Sequence, residues 1–313
     1  MTKEEIVTNF DPSAPGLANA TIFGLPFSAE QSEIIIIPVP WEVTVSYGAG
    51  ASKGPEAVLE ASFQVDLMNE SYPDLWKLGI YFDKIPINWV KDSKKYKELA
   101  QDIIEAQENG EDISKNKTLT KDLDIINIAC RKLHDEVREK TLEWIEKGKK
   151  VVLLGGDHST PLGYYEALSK VHSDFGILHI DAHMDFRIAY EEFSYSHASI
   201  MYNALKIDQI SQIVQVGIRD FCEEEFHVYQ KNKDRVTVFS NQKIQTNFFE
   251  GNNWKQQCDE IISKLPQKVC ISFDIDGLEA WYCPTTGTPV PGGLSYDMAT
   301  YLINQLALLL RFG

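Results

Sequence analysis

Three short apolar runs in this chain, VVLL (151–154), FGILHI (175–180) and VCISF (269–273), each lead straight into a polar segment: GGDHS (155–159), DAHMD (181–185) and DIDG (274–277). Runs of four to six apolar residues are short for helices and read as strands covered on both faces. Similar runs recur at 34–38, 78–81, 213–216 and 236–239. Between them lie helical patterns. The clearest spans 124–147, where Ile126, Ala129, Leu133, Val137, Leu142 and Ile145 form an apolar stripe and Glu136 and Lys140 are expected to pair on the polar face. Further helices are expected over 161–170, 198–205, 223–231, 254–264 and 295–310. Strands alternating with helices predict a three-layer α/β/α sandwich with a mainly parallel sheet, because parallel neighbours need a crossover. Residues 1–313 read as one domain, and the polar stretch 82–122 as an insertion or mobile excursion.

In open α/β sheets ligands bind beyond the carboxyl ends of strands, so the three polar segments are expected to converge on one crevice. Asp181, His183 and Asp185 sit at i, i+2 and i+4, and a locally extended backbone would turn all three to one side. Asp274 and Asp276 repeat the spacing. With His158 they make four carboxylates and two imidazoles, a set too anionic to stay uncompensated at the dry end of a sheet. Two divalent cations would balance the four carboxylates. An oxygen-rich shell with two histidines suits Mn²⁺, with Ni²⁺, Co²⁺ or Zn²⁺ as alternatives. Each segment alone has a plainer reading: His158 as a turn residue with Asp157 as a helix cap, DAHMD as a solvated loop, DIDG as a turn with Gly277 at positive φ. The metal reading rests on the conjunction of all three.

Charge narrows the partners. The chain carries 30 Lys and Arg against 46 Asp and Glu, a net charge of −16, which repels a phosphate backbone or an anionic bilayer and draws small cations. The five cysteines are scattered without a CxxC pair, and the longest apolar runs, 34–39 and 306–310, are too short to span a membrane. A cytoplasmic protein without nucleic-acid or membrane partners is expected.

The three segments resemble the metal-binding signatures of the ureohydrolase family, the group of arginases, agmatinases, formimidoylglutamases and guanidine hydrolases. Two more segments agree in order: PWEVTVSYGAGASKGPEAVLEAS (40–62) is similar to the family's substrate-side loop, and TGTPVPGGLS (286–295) to the stretch after the last ligands. The resemblance implies one metal on His158, Asp181, Asp185 and Asp274 and a second on Asp181, His183, Asp274 and Asp276. It also implies a small cationic guanidino substrate whose planar carbon is attacked by water to release urea, and a trimeric or hexameric assembly. Protonation of the departing nitrogen falls to Asp276 or His197, which stands twelve residues after Asp185. Taken alone, His197 also reads as a loop histidine capping the following helix.

Two departures bear on the substrate. Many family members carry a Glu shortly after the TGTP segment to hold the guanidinium, and here Met298 stands at that position, with Asp297 beside it. Asp297, Glu42 and Glu279 are the candidate replacements. The wording PWEVTVSYGAG and the preceding PGLANATIFGLPFS (15–28) are similar to the subgroup that includes guanidine hydrolases, with Thr44 expected to hydrogen-bond a small guanidinium and Trp281 to cover it by a cation–π contact. Free guanidine is therefore the expected substrate, ahead of agmatine or arginine. The other readings are a deacetylase-like hydrolase with a single metal and a catalytically disabled metal-binding relative. The chain ends at Gly313, where the resemblance implies a further strand and helix.

Overall fold

A computed structural model describes residues 1–16 and 20–310, so positions 17–19 and 311–313 of the N-terminal segment and chain end singled out above lie outside the described residues. Seven strands are described: β1 (Ile34–Val39), β2 (Ile80–Phe82), β3 (Lys150–Gly155), β4 (Phe175–Ile180), β5 (Ile210–Val216), β6 (Val236–Phe239) and β7 (Val269–Phe273). The helices are α1 (Lys3–Asn9), α2 (Gly54–Ser62), α3 (Ile87–Glu108), α4 (Lys117–Glu146), α5 (Leu162–Val171), α6 (Ile200–Ala204), α7 (Glu223–Lys231), α8 (Asn241–Phe249), α9 (Trp254–Ile262) and α10 (Tyr296–Leu310).

Every strand pairing is parallel, and the α/β architecture is the expected one. The single sheet expected from the sequence is instead divided into two, ordered β2-β1-β3 and β6-β5-β4-β7. The reason lies in the pairing: β3 bonds only β1 and β7 only β4 among the described residues. Side chains join the two sheets beside that division, where Ser272 of β7 takes a hydrogen bond from the Tyr165 hydroxyl at 2.7 Å and lies 2.8 Å from His158 Nε2.

The stretch 82–122 is no excursion. Most of it is α3 and the first turn of α4, and Trp89, Ala100, Ile103 and Ile104 of α3 pack with Ile35, Ile37 and Val39 of β1 in one core cluster. Apolar positions at 89, 96, 100, 103 and 104 follow the helical period, and at about 2 kcal/mol for each fully buried aliphatic side chain they outweigh the polar composition. The Asn116 side chain caps α4 by accepting from the Thr118 and Leu119 amides, so the helix begins seven residues before the expected 124. The expected Glu136–Lys140 pair does not form. Glu136 instead accepts from the Trp89 indole, and Lys140 pairs with Asp83 at 2.8 Å, so both side chains pin α4 to neighbouring segments. All five cysteines are free, and no helix among the described residues is long and apolar enough to cross a membrane.

Candidate metal centre

The turn after β3 places His158. Gly156 and Asp157 donate their amides to Val39 and Trp41 carbonyls at 3.0 and 2.8 Å, and a Cβ at Gly156 would lie 1.9 Å from the Trp41 oxygen, so only glycine permits the approach. Asp157 caps this turn, not helix α5: its Oδ1 accepts from the Ser159 amide and hydroxyl at 2.9 and 2.5 Å. His158 is thereby turned toward the other strand ends. Its Nδ1 lies 2.9 Å from Asp181 Oδ2, 3.2 Å from Asp185 Oδ2 and 3.3 Å from Asp274 Oδ2.

Asp181 follows β4, and His183 Nδ1 lies 3.4 Å from its Oδ1 and 3.3 Å from Asp276 Oδ2. The segment is not uniformly extended, as the spacing argument had supposed. Asp185 has φ 57°, a left-handed conformation unusual for a side chain with a Cβ, and its carbonyl accepts from the Met201 and Tyr202 amides. In DIDG, Gly277 is needed for closeness and not for a positive φ, since a Cβ there would meet the Asp181 nitrogen at 2.8 Å. The Asp276 carboxylate in turn accepts from the Ala182 amide at 3.1 Å.

The six expected ligands thus come together. Donor atoms within 4.8 Å of one another form two groups, His158 with His179, Asp181 and Asp185, and Asp181 with His183 and Asp276. Asp181 belongs to both. Asp274, expected to bridge as well, stands beside His158 but outside both groups, its Oδ1 taken up by the Asp276 amide at 3.1 Å.

Electrostatics shows what the cluster lacks. Burial and the charge of Asp181 push the Asp185 carboxyl up, and burial with Asp274 and Asp181 does the same to Asp276. Burial works against a charged ring at His158 and His183, yet the surrounding carboxylates overcome it and raise both, His183 to about 11. A cluster that holds protons this firmly is one whose negative charge exceeds its positive charge, and a pair of divalent ions supplies the missing charge at the same atoms. The donor set, its convergence and its charge all fit metal ions.

Several residues that hold the cluster were not anticipated. His179 is fully buried in β4, and Gln215 of β5 donates from Nε2 to both Met184 O at 2.7 Å and His179 Nδ1 at 3.0 Å. That leaves the proton of His179 on Nε2, directed at Asp181 Oδ2 2.8 Å away, so the ring orients a carboxylate and its lone pair is not free for a metal. Arg219 bonds the carbonyls of Asp276 (2.7 Å), Leu278 (3.1 Å) and Val290 (2.9 Å), fastening DIDG to the 286–295 segment. The available signal was a polar residue inside an apolar strand run: His179 in FGILHI, Gln215 in ISQIVQV, Ser272 in VCISF.

Of the expected substrate contacts, Thr44 is enclosed, His197 is half-buried, and the others are not placed as foreseen. Burial lowers the His197 ring to about 4, which keeps it neutral at pH 7, and the Tyr190 ring meets it edge-on at 6.2 Å. Thr44 is 1% exposed and its hydroxyl has no partner. Glu42 is not free to meet a guanidinium: it is buried, ion-paired with Lys97, and accepts from the Gly50 and Ser52 amides at 2.9 and 2.7 Å. Asp297 lies exposed in the first turn of α10 while Met298 packs into the core cluster of α9 and α10, because the amphipathic helix buries 298 and turns 297 outward. Trp281 is 74% exposed and donates to Glu279 at 2.8 Å, so the expected aromatic cover is not formed in this conformation.

Comparison with known proteins agrees with this geometry. The chain is 31% identical over 283 residues to the N(1)-aminopropylagmatine ureohydrolase of Thermus thermophilus, covering 88% of this chain and 78% of that one. It is 28% identical over 275 residues to the agmatinase of Neisseria meningitidis serogroup A, covering 87% and 74%. Among solved structures, the agmatine ureohydrolase of Thermoplasma volcanium superposes with a TM-score of 0.67 at 23% identity, over 97% of this chain and 85% of the other. The arginase of Bacillus cereus superposes with a TM-score of 0.61 at 22% identity, over 89% and 86%. The family model described as the arginase family matches residues 32–312, and with the strand-end cluster this makes the chain a member of the arginase family, a ureohydrolase that acts on C–N bonds of amidines.

Proposed function

We propose that the chain hydrolyses the guanidino group of a small aliphatic guanidino compound that also bears an amine, releasing urea and a diamine or polyamine. One observation carries the reading: four carboxylates and two imidazoles from three separate strand ends face one another with too little positive charge. His158, Asp181, Asp185 and Asp274 would hold one divalent ion, and Asp181, His183 and Asp276, with Asp274, a second, Mn²⁺ ahead of Ni²⁺. When bound, such a pair brings the pKa of a shared water toward ~7. The neutral His197 ring, beside this cluster, exchanges a proton with the departing nitrogen.

The amine-bearing class is supported by the names of the similar proteins, aminopropylagmatine ureohydrolase and agmatinase. Free guanidine, the substrate the loop wording favours, remains the second reading because the buried Thr44 hydroxyl has no partner, as expected of a donor or acceptor kept for a small ligand. Urea release from the metal-loaded protein offered agmatine, aminopropylagmatine, arginine and guanidine separates them. The proposal expects the highest kcat/KM on agmatine or aminopropylagmatine, and highest efficiency on arginine, whose product is an amino acid and not a diamine or polyamine, contradicts it. Higher efficiency on guanidine restores the other order, and urea from none of the four rejects both.

A further inference from the structure

The loop between Asp185 and His197 holds a carboxylate that the site as described does not use. Tyr190 to Phe193 form a tight turn, closed by the Phe193 amide on the Tyr190 carbonyl at 2.9 Å. Its two central residues, Glu191 and Glu192, both have positive φ, 52° and 65°, a conformation that hairpin turns usually give to Asn or Gly. The turn is firmly held. Phe193 is fully buried in the core, and Tyr190 lies between Arg187, 5.2 Å above its ring, and His197.

Glu191 is half-buried on this turn. Its Oε2 is buried and has no hydrogen-bond partner, and no ion pair includes it among the described residues. The groups that face it are Ser46, from the substrate-side loop two residues beyond Thr44, and Glu108, at the end of α3, which repels it. Burial raises its carboxyl, the Ser46 side chain partly opposing. A buried carboxylate oxygen that meets another acid in place of a base, in a backbone conformation its side chain disfavours, is costly to the folded chain alone. A cation arriving from outside relieves that cost. Glu191 follows Tyr190, whose ring meets His197 edge-on at 6.2 Å, and Ser46 lies two residues beyond Thr44, so the carboxylate stands on the turn that borders both expected substrate contacts.

We propose that Glu191 is a specificity-determining anchor for the substrate's ammonium group, with Ser46 sharing the contact, so that the guanidinium reaches the metal cluster while the amine is held at the Tyr190–Phe193 turn. The proposal rests on the guanidino hydrolase reading and adds the residue that selects an amine-bearing chain.

The test compares agmatine with n-butylguanidine, which has the same four-carbon chain and lacks the amine, by urea release from wild-type protein, Glu191→Gln and Glu191→Asp. Wild type is expected to prefer agmatine. In Glu191→Gln the ratio of kcat/KM between the two compounds should fall about tenfold or more, mainly through KM for agmatine, as loss of a charge-assisted contact in a desolvated site predicts. Glu191→Asp, which keeps the charge, should recover part of the ratio. A ratio unchanged within twofold in Glu191→Gln, whether or not overall activity drops, overturns the anchor. So does a wild-type protein that treats both compounds alike, and that result leaves the guanidino hydrolase reading intact. Urea from neither compound with the wild type overturns the anchor, and overturns the guanidino hydrolase reading as well when aminopropylagmatine and guanidine also give none.

Discussion

Lys97, midway along α3, ion-pairs with one oxygen of the buried Glu42 carboxylate while the other oxygen gathers the Gly50 and Ser52 amides. Through that one carboxylate a helix read from composition as an excursion fixes the loop that carries Thr44 and Ser46 beside the metal centre. A second bond, from the Glu42 amide to Ser93 Oγ at 3.1 Å, ties the same loop to the same helix.

The first prediction follows from this pair. Glu42 is 5% exposed, and stripping its partner leaves a buried charge. Lys97→Met should cost about 2–4 kcal/mol, at or just below the range for breaking a buried pair because Lys97 keeps some solvent contact. Lys97→Met/Glu42→Gln should recover part of that loss. Urea denaturation of the three proteins measures it. A loss below about 0.5 kcal/mol in Lys97→Met would place the pair among surface ion pairs.

Gln215→Leu should weaken metal binding with little change in the fold. It removes the donor that fixes His179 and so lets the ring turn away from Asp181. Loss of such an outer partner typically lowers metal affinity about 10–100-fold. Calorimetric titration with Mn²⁺ reads the change, and an unaltered affinity would show that His179 is held by packing alone.

His134 sets an acid limit on stability. It is 1% exposed on α4, neither ring nitrogen has a partner, and burial lowers it from the usual 6.5 to about 3. The folded value is depressed, so the neutral ring's contribution is fully present above pH 6.5 and is lost as pH falls from 6.5 toward 3, at up to about 1.4 kcal/mol per unit. His134→Phe should flatten the decline of unfolding free energy between pH 6.5 and 4. An unchanged slope would assign the decline to other groups.

Strand ends were legible in the sequence because each parallel strand leaves an apolar run with Asp or His close behind it, although only β4 is covered on both faces as expected, while β3 and β7, beside the division between the sheets, are part-exposed. Helix α3 was not, since the few apolar residues that dock it, Trp89, Ala100, Ile103 and Ile104, are outnumbered by charge and signal by period alone. The substrate contacts were least legible. Glu42, Asp297 and Trp281 were chosen for chemistry near the right segments, yet Glu42 is consumed by Lys97 and two backbone amides, the phase of α10 turns Asp297 outward, and Trp281 is taken up by Glu279. Glu191 escaped notice because its significance lies in a missing partner and a strained turn, which only the folded chain displays.

The central claim is that three strand ends build one two-metal centre, and the stoichiometry of Mn²⁺ bound by metal-stripped protein tests it most directly. Equilibrium titration is predicted to give two ions per chain for the wild type and fewer than two for Asp181→Ala, which removes the carboxylate common to both donor groups. A single ion per chain in the wild type, or two ions still bound tightly by Asp181→Ala, would contradict the account.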